Sequence, residues 1–142
     1  MPTQKIPETI IDVIHACDSV QLATIRPDGY PETRHVANMM NHGVDDLTLF
    51  FMTGRNTPKA QQLLNNPRCC LYYYDTATHH SVRLFGTMEL VTDKKSRHAH
   101  WDEEFANFGY DGPDDPEFIL LRFHAAEYKY YDAAGIQTGK IK

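Results

Sequence analysis

The stretch Leu47–Pro67, LTLFFMTGRNTPKAQQLLNNP, decides the fold, because its hydrophobic period changes partway along and a polar turn stands at the change. Leu47 to Met52 is an apolar and aromatic run that suits a buried strand, whereas Ala60, Leu63 and Leu64 repeat at helical spacing. Between them lies Thr53-Gly54-Arg55-Asn56-Thr57. Thr57 is placed to cap the helix, since its hydroxyl can accept from a first-turn N–H, and Pro58 at the first helical position removes no donor that the helix needs. Asn65-Asn66-Pro67 ends the helix.

A helix start presents unpaired N–H groups and the positive end of the dipole, so an anion settles there readily. Thr53 and Thr57 add hydroxyls. Lys59 adds an ammonium in the first turn, where a cation opposes the dipole unless an anion is also present. Two readings are open at this point: a phosphate-binding corner, or an ordinary strand-to-helix turn with a solvated Lys59.

The whole chain narrows the choice. Its 142 residues, 42% hydrophobic, suffice for a single domain over 1–142 with one core. A formal charge of −5 and the lack of a basic run exclude nucleic acid as the expected partner, so a bound phosphate belongs to a small ligand. No apolar leader and no membrane-length apolar run occurs, and the expected location is cytoplasmic, away from membranes. Cys17, Cys69 and Cys70 have no metal-like spacing and read as reduced core residues. His98 and His100 fall on different sides of a helix and His79-His80 in a turn, so no metal site is expected.

Taken in order, Pro7 to Ala16 reads as an amphipathic helix through Ile10, Val13, Ile14 and Cys17. Ser19 to Arg26 and Glu32 to Met40 form a hairpin about Pro27-Asp28-Gly29-Tyr30, and Asn41-His42-Gly43 with Asp45-Asp46 makes the next turn. Cys69 to Tyr74 and Ser81 to Thr92 are strands, and Gly86 within the second signals a bulge or a close backbone approach. Asp93 to Phe108 reads as a helix with Trp101, Phe105 and Phe108 along one side. Glu117 to His124 and Glu127 to Ala133 are the last two strands, and Gly135 to Lys142 reads as frayed. Six or so strands joined mostly by hairpins, with three short helices, give a mainly β fold: a small antiparallel, Greek-key-like barrel.

Phe50-Phe51-Met52-Thr53, then Thr57-Pro58-Lys59, then Asn66-Pro67, together with the strand Arg34-His35-Val36 and the strand Val82-Arg83-Leu84-Phe85-Gly86, resemble a known family over nearly the whole chain. That family is the flavin-binding split barrels of the pyridoxamine 5′-phosphate oxidase type, in particular the short general stress protein 26-like members. The resemblance implies a split β-barrel that holds FMN, with Lys59, Thr53 and Thr57 at the phosphate and Arg34 at either the pyrimidine edge or the phosphate. Val36, Ala37 and Met52 would then bury the ring, with Trp101 covering it from a neighbouring helix or a second subunit. Arg83 and His35 join the expected cofactor residues; Arg34 and Arg83 have an alternative as exposed strand residues in salt bridges, His35 as a solvent-facing side chain and Trp101 as a core residue. The resemblance also implies a homodimer with cofactor sites at the subunit interface and a small-molecule substrate or electron donor.

Family members that oxidise pyridoxamine phosphate carry a Lys where this chain has Met39, and a C-terminal Trp and Arg set that Thr138-Gly139-Lys140-Ile141-Lys142 lacks. The flavin half of the site is kept and the vitamin half is not. The expected function is therefore an FMN-dependent oxidoreductase acting on another small substrate. The alternatives are a non-enzymatic flavin-binding or stress-related module, or the same barrel holding F420 or haem, the last with His15, His35 or His124 as axial ligand.

Overall fold

The computed structural model describes residues 6–38 and 47–141. Met39, Met40 and the expected turn at Asn41-His42-Gly43 with Asp45-Asp46 lie outside them. Among the described residues seven strands form one antiparallel sheet: β1 Ser19–Ile25, β2 Pro31–Ala37, β3 Thr48–Gly54, β4 Arg68–Tyr74, β5 Ser81–Val91, β6 Phe118–Asp132 and β7 Gly135–Lys140. The path runs β2-β1-β4-β5-β6-β3, with β7 also on β6. Its two ends, β2 and β3, come into contact without a ladder between their described residues. Among the described residues the sheet therefore curls into the expected barrel and leaves a seam between β2 and β3.

Alternation along the strands fills the interior. Val20, Leu22 and Thr24 of β1, Leu49 and Phe51 of β3, and Leu71 and Tyr73 of β4 all point inward and are buried. Helix α1, Glu8–His15, lays Ile10, Val13 and Ile14 over this core at the expected spacing. Helix α2, Pro58–Asn65, buries Ala60, Gln62 and Leu63. Leu64 is a correction: read as part of the buried face, it is 62% exposed, because the sheet receives Gln62 instead.

Three further expectations are corrected. The segment read as one helix from Asp93 to Phe108 is a short helix α3, Lys94–Ala99, followed by a 3-10 turn, Glu103–Phe108. The break falls at His100 to Asp102, because Asp102 opens the second element by accepting from the Glu104 N–H at 2.9 Å. The two strands read at Glu117–His124 and Glu127–Ala133 are one strand, β6, in which Ala126 has no partner on β5: Phe85 pairs with Glu127 and Gly86 with Ala125. That bulge lets the first half of β6 pair with β3 and the second with β7. The segment read as frayed is β7, held in register from Glu127↔Lys140 to Asp132↔Gly135. No helix among the described residues is long and apolar enough to cross a membrane.

Candidate functional site

A cavity of about 450 Å³ lies along the seam, where no ladder joins the described residues of β2 and β3. His35, Val36 and Ala37 from β2 face Met52, Thr53 and Gly54 from β3, with Asp18 and Ser19 at the foot of β1. Thr57 and Lys59 come from the start of α2, and Phe108 and Tyr110 from the stretch before β6. Of the residues expected from the sequence, the cavity gathers His35, Val36, Ala37, Met52, Thr53, Thr57 and Lys59. Arg34, Arg83 and Trp101 are not in its lining.

The corner itself is built as the local sequence dictates. Thr57 is the N-cap of α2, its hydroxyl accepting from the Ala60 N–H at 3.4 Å and donating to the Gly54 carbonyl at 2.8 Å. Thr53, buried on β3, places its hydroxyl 3.4 Å from that of Thr57. The turn is clamped from outside by Glu117, whose carboxylate accepts from the Asn56 N–H at 2.7 Å and from the Asn56 amide at 2.8 Å. A Cβ on Gly54 would stand 2.8 Å from that carboxylate and 3.1 Å from Thr57 Cγ2, so the clamp closes only over a glycine.

Lys59 is half-buried in the first turn of α2 and has no hydrogen bond or ion pair among the described residues. Burial lowers its pKa, and the Arg34 guanidinium lowers it further. A cation set against a helix dipole, partly desolvated and beside another cation, is destabilising unless an anion joins it. The groups converging here are the Lys59 ammonium and backbone N–H, the Thr53 hydroxyl, and the Thr57 hydroxyl, whose proton is held by the Gly54 carbonyl. That set fits a phosphate group.

Arg34 is committed elsewhere. Its Nη1 donates to the Thr24 hydroxyl at 2.7 Å and the Leu22 carbonyl at 3.1 Å, while Nη2 reaches Glu32 at 3.3 Å and Gln62 Oε1 at 3.4 Å. Thr24 donates to Gln62, and Gln62 to Glu32 at 2.9 Å, so the network straps α2 to β1 and β2 and fixes where its N-terminus points. Thr24→Val, nearly isosteric, leaves a buried acceptor on Gln62 and a donor on Arg34 short of partners. It is expected to cost about 1–3 kcal/mol, read as a lowered urea midpoint at constant slope.

Arg83 is exposed on β5 and lies over the Tyr72 ring, 4.9 Å from its centroid. Trp101 packs edge-on against Phe105 at 5.5 Å and Phe118 at 5.1 Å, and its indole N–H donates to Glu103. Of the histidines weighed as haem ligands, His35 lines the cavity, His15 is exposed at the end of α1, and His124 is engaged with Glu89. Asp18, Ser19, Gly54, Phe108 and Tyr110 join the cavity without having been expected. A readable signal existed only for Gly54, inside the corner; the others come from remote segments that only the barrel brings together.

A barrel of this topology, with the start of a helix beside the seam between β2 and β3, is a split barrel. The chain belongs to the pyridoxamine 5′-phosphate oxidase family, whose model matches residues 6–132. It is 26% identical over 136 residues to general stress protein 26 of Bacillus subtilis, covering 94% of this chain and 93% of that one. It is 32% identical over 79 residues to the pyridoxine/pyridoxamine 5′-phosphate oxidase of Azorhizobium caulinodans. That match takes in 56% of this chain and 36% of the oxidase, so the chain spans about a third of the length of that curated relative. A crystal structure from Clostridium acetobutylicum, of a protein related to general stress protein 26, superposes with a TM-score of 0.81 at 26% identity, covering 96% of this chain and 97% of that one.

Proposed function

We propose that the protein binds FMN in the seam and works as a flavin-dependent oxidoreductase on a small substrate other than pyridoxamine phosphate. The observation that carries this is the half-buried Lys59, without a hydrogen bond or ion pair among the described residues, lining the cavity with Thr53 and Thr57. The phosphate is assigned to that corner and the ring to the stretch lined by His35, Val36, Ala37 and Met52. Phosphate contacts at ~1.5–3 kcal/mol each fall short of the ~8 kcal/mol of a micromolar complex once immobilisation is included, so ring burial must add the rest. Bound there, FMN supplies reversible electron and hydride transfer, and the protein supplies placement and electrostatics. With Met39 at the position of the family's lysine, a nicotinamide or another small reductant is the donor to try first.

The test is the visible spectrum of the purified protein, followed by turnover with a nicotinamide donor. Flavin absorption with many turnovers per flavin supports the enzyme. Flavin absorption with no more than one turnover per flavin replaces it with a non-enzymatic flavin-binding module. A Soret band, or F420 bound in preference to FMN, reassigns the cofactor.

The cavity lining includes Phe108, 64% exposed among the described residues, while Tyr74 and Tyr131 leave large aromatic surface on the strands. Such surface on a split barrel suits a two-fold partner that covers the ring, so the working form is proposed to be a homodimer with two sites. Sedimentation at micromolar concentration is expected to give twice the chain mass. A monomer that still holds FMN would remove the shared site.

A further inference from the structure

We infer that Tyr110 is an additional ligand of the anion held at the start of α2, donating its phenolic O–H to the phosphate; this rests on the flavin reading above. Tyr110 lines the same cavity as Thr53, Thr57 and Lys59. The position a Cβ would take on Gly54 is 3.3 Å from the Tyr110 hydroxyl and 3.1 Å from Thr57 Cγ2, which puts the phenol beside the α2 cap. No hydrogen bond engages the hydroxyl among the described residues. Glu117, whose carboxylate also stands beside Gly54, holds Asn56 with both of its oxygens.

Chemistry and packing agree with that placement. Burial, and then the carboxylates of Glu117 and Asp115, push the phenol's pKa upward, so it remains an O–H donor. A neutral donor adds to an anion site without the cost of desolvating a third cation beside Lys59 and Arg34. The ring is preset: it packs edge-on to the fully buried Phe118 at 5.6 Å, and Phe118 in turn packs against Trp101 and Phe105. Gly109, at φ +97°, turns the chain out of the 3-10 helix just before it. Trp101 thereby acts on the site at one remove, as part of the aromatic cluster that holds Tyr110.

Tyr110→Phe keeps the ring and removes only the donor. Dissociation constants of FMN and of riboflavin, which lacks the phosphate, are measured for wild type, Tyr110→Phe and Lys59→Ala, together with flavin-free melting temperatures. The preference for FMN over riboflavin is expected to fall about ten-fold or more in Tyr110→Phe, with riboflavin affinity and melting unchanged. An unchanged FMN affinity, or equal losses for both flavins, overturns the assignment of Tyr110. If Lys59→Ala loses FMN preference while Tyr110→Phe does not, the flavin reading stands and this inference alone falls. If wild type shows no preference for FMN, the phosphate corner falls and Tyr110 with it.

Discussion

Gly86→Ala is expected to destabilise the protein by about 3 kcal/mol or more, the upper range of overpacking. A Cβ on Gly86 would stand 2.1 Å from the backbone oxygen of His124, with that carbonyl carbon at 3.0 Å and Phe123 Cζ at 2.9 Å. A side chain can turn away from such a contact, but a strand backbone cannot. The contact occurs where β5 slips register against β6, and relieving it would spread the bulge that lets β6 serve β3 along one half and β7 along the other. Because β3 carries Thr53 and leads into the corner, flavin affinity should fall along with stability. Denaturant unfolding of wild type and variant checks this; a difference under 1 kcal/mol would show that the bulge is not the constraint described.

Lys59→Glu is expected to move binding and stability in opposite directions. It removes a charge-assisted donor worth ~1.5–3 kcal/mol and sets a carboxylate against a dianion, so FMN affinity should fall more than a hundred-fold. The flavin-free protein should become more stable by about 0.3–1 kcal/mol, since an acidic residue suits the first turn of a helix. The sign of the pH dependence follows from the direction of the lysine shift. Folding lowers the Lys59 pKa, so the wild-type penalty is fully present below the folded value and is relieved as pH rises towards the ordinary lysine value. The stability gap between the two proteins should therefore be widest near neutrality and close in alkali. Equal FMN affinity in both would place the phosphate elsewhere.

The corner was legible because its signals are local. Thr57, Pro58 and Lys59 are neighbours, and capping depends on spacing along one chain segment. The strand–bulge–strand of β6 was half legible: the reading broke at Ala125-Ala126, small residues with little strand preference, and the bulge stands there, but pairing to β5 on one side carries the strand through it. β7 was missed because Gly135, Thr138 and Gly139 carry no apolar alternation; its order comes from the ladder to β6 and from Gly139 admitting the Tyr128 ring, 2.4 Å from where a Cβ would be. Tyr110 was missed for a different reason. It sits in a segment rich in Gly, Pro and Asp whose path is set by packing on Phe118, a contact that no sequence period encodes.

The most direct test of the anion corner is a titration of the flavin-free protein with FMN and, separately, with riboflavin, followed by flavin fluorescence. The account predicts saturation at one FMN per chain with a dissociation constant in the micromolar range or below, and riboflavin at least about a hundred-fold weaker. Absence of saturable FMN binding, or riboflavin bound as tightly as FMN, would contradict it.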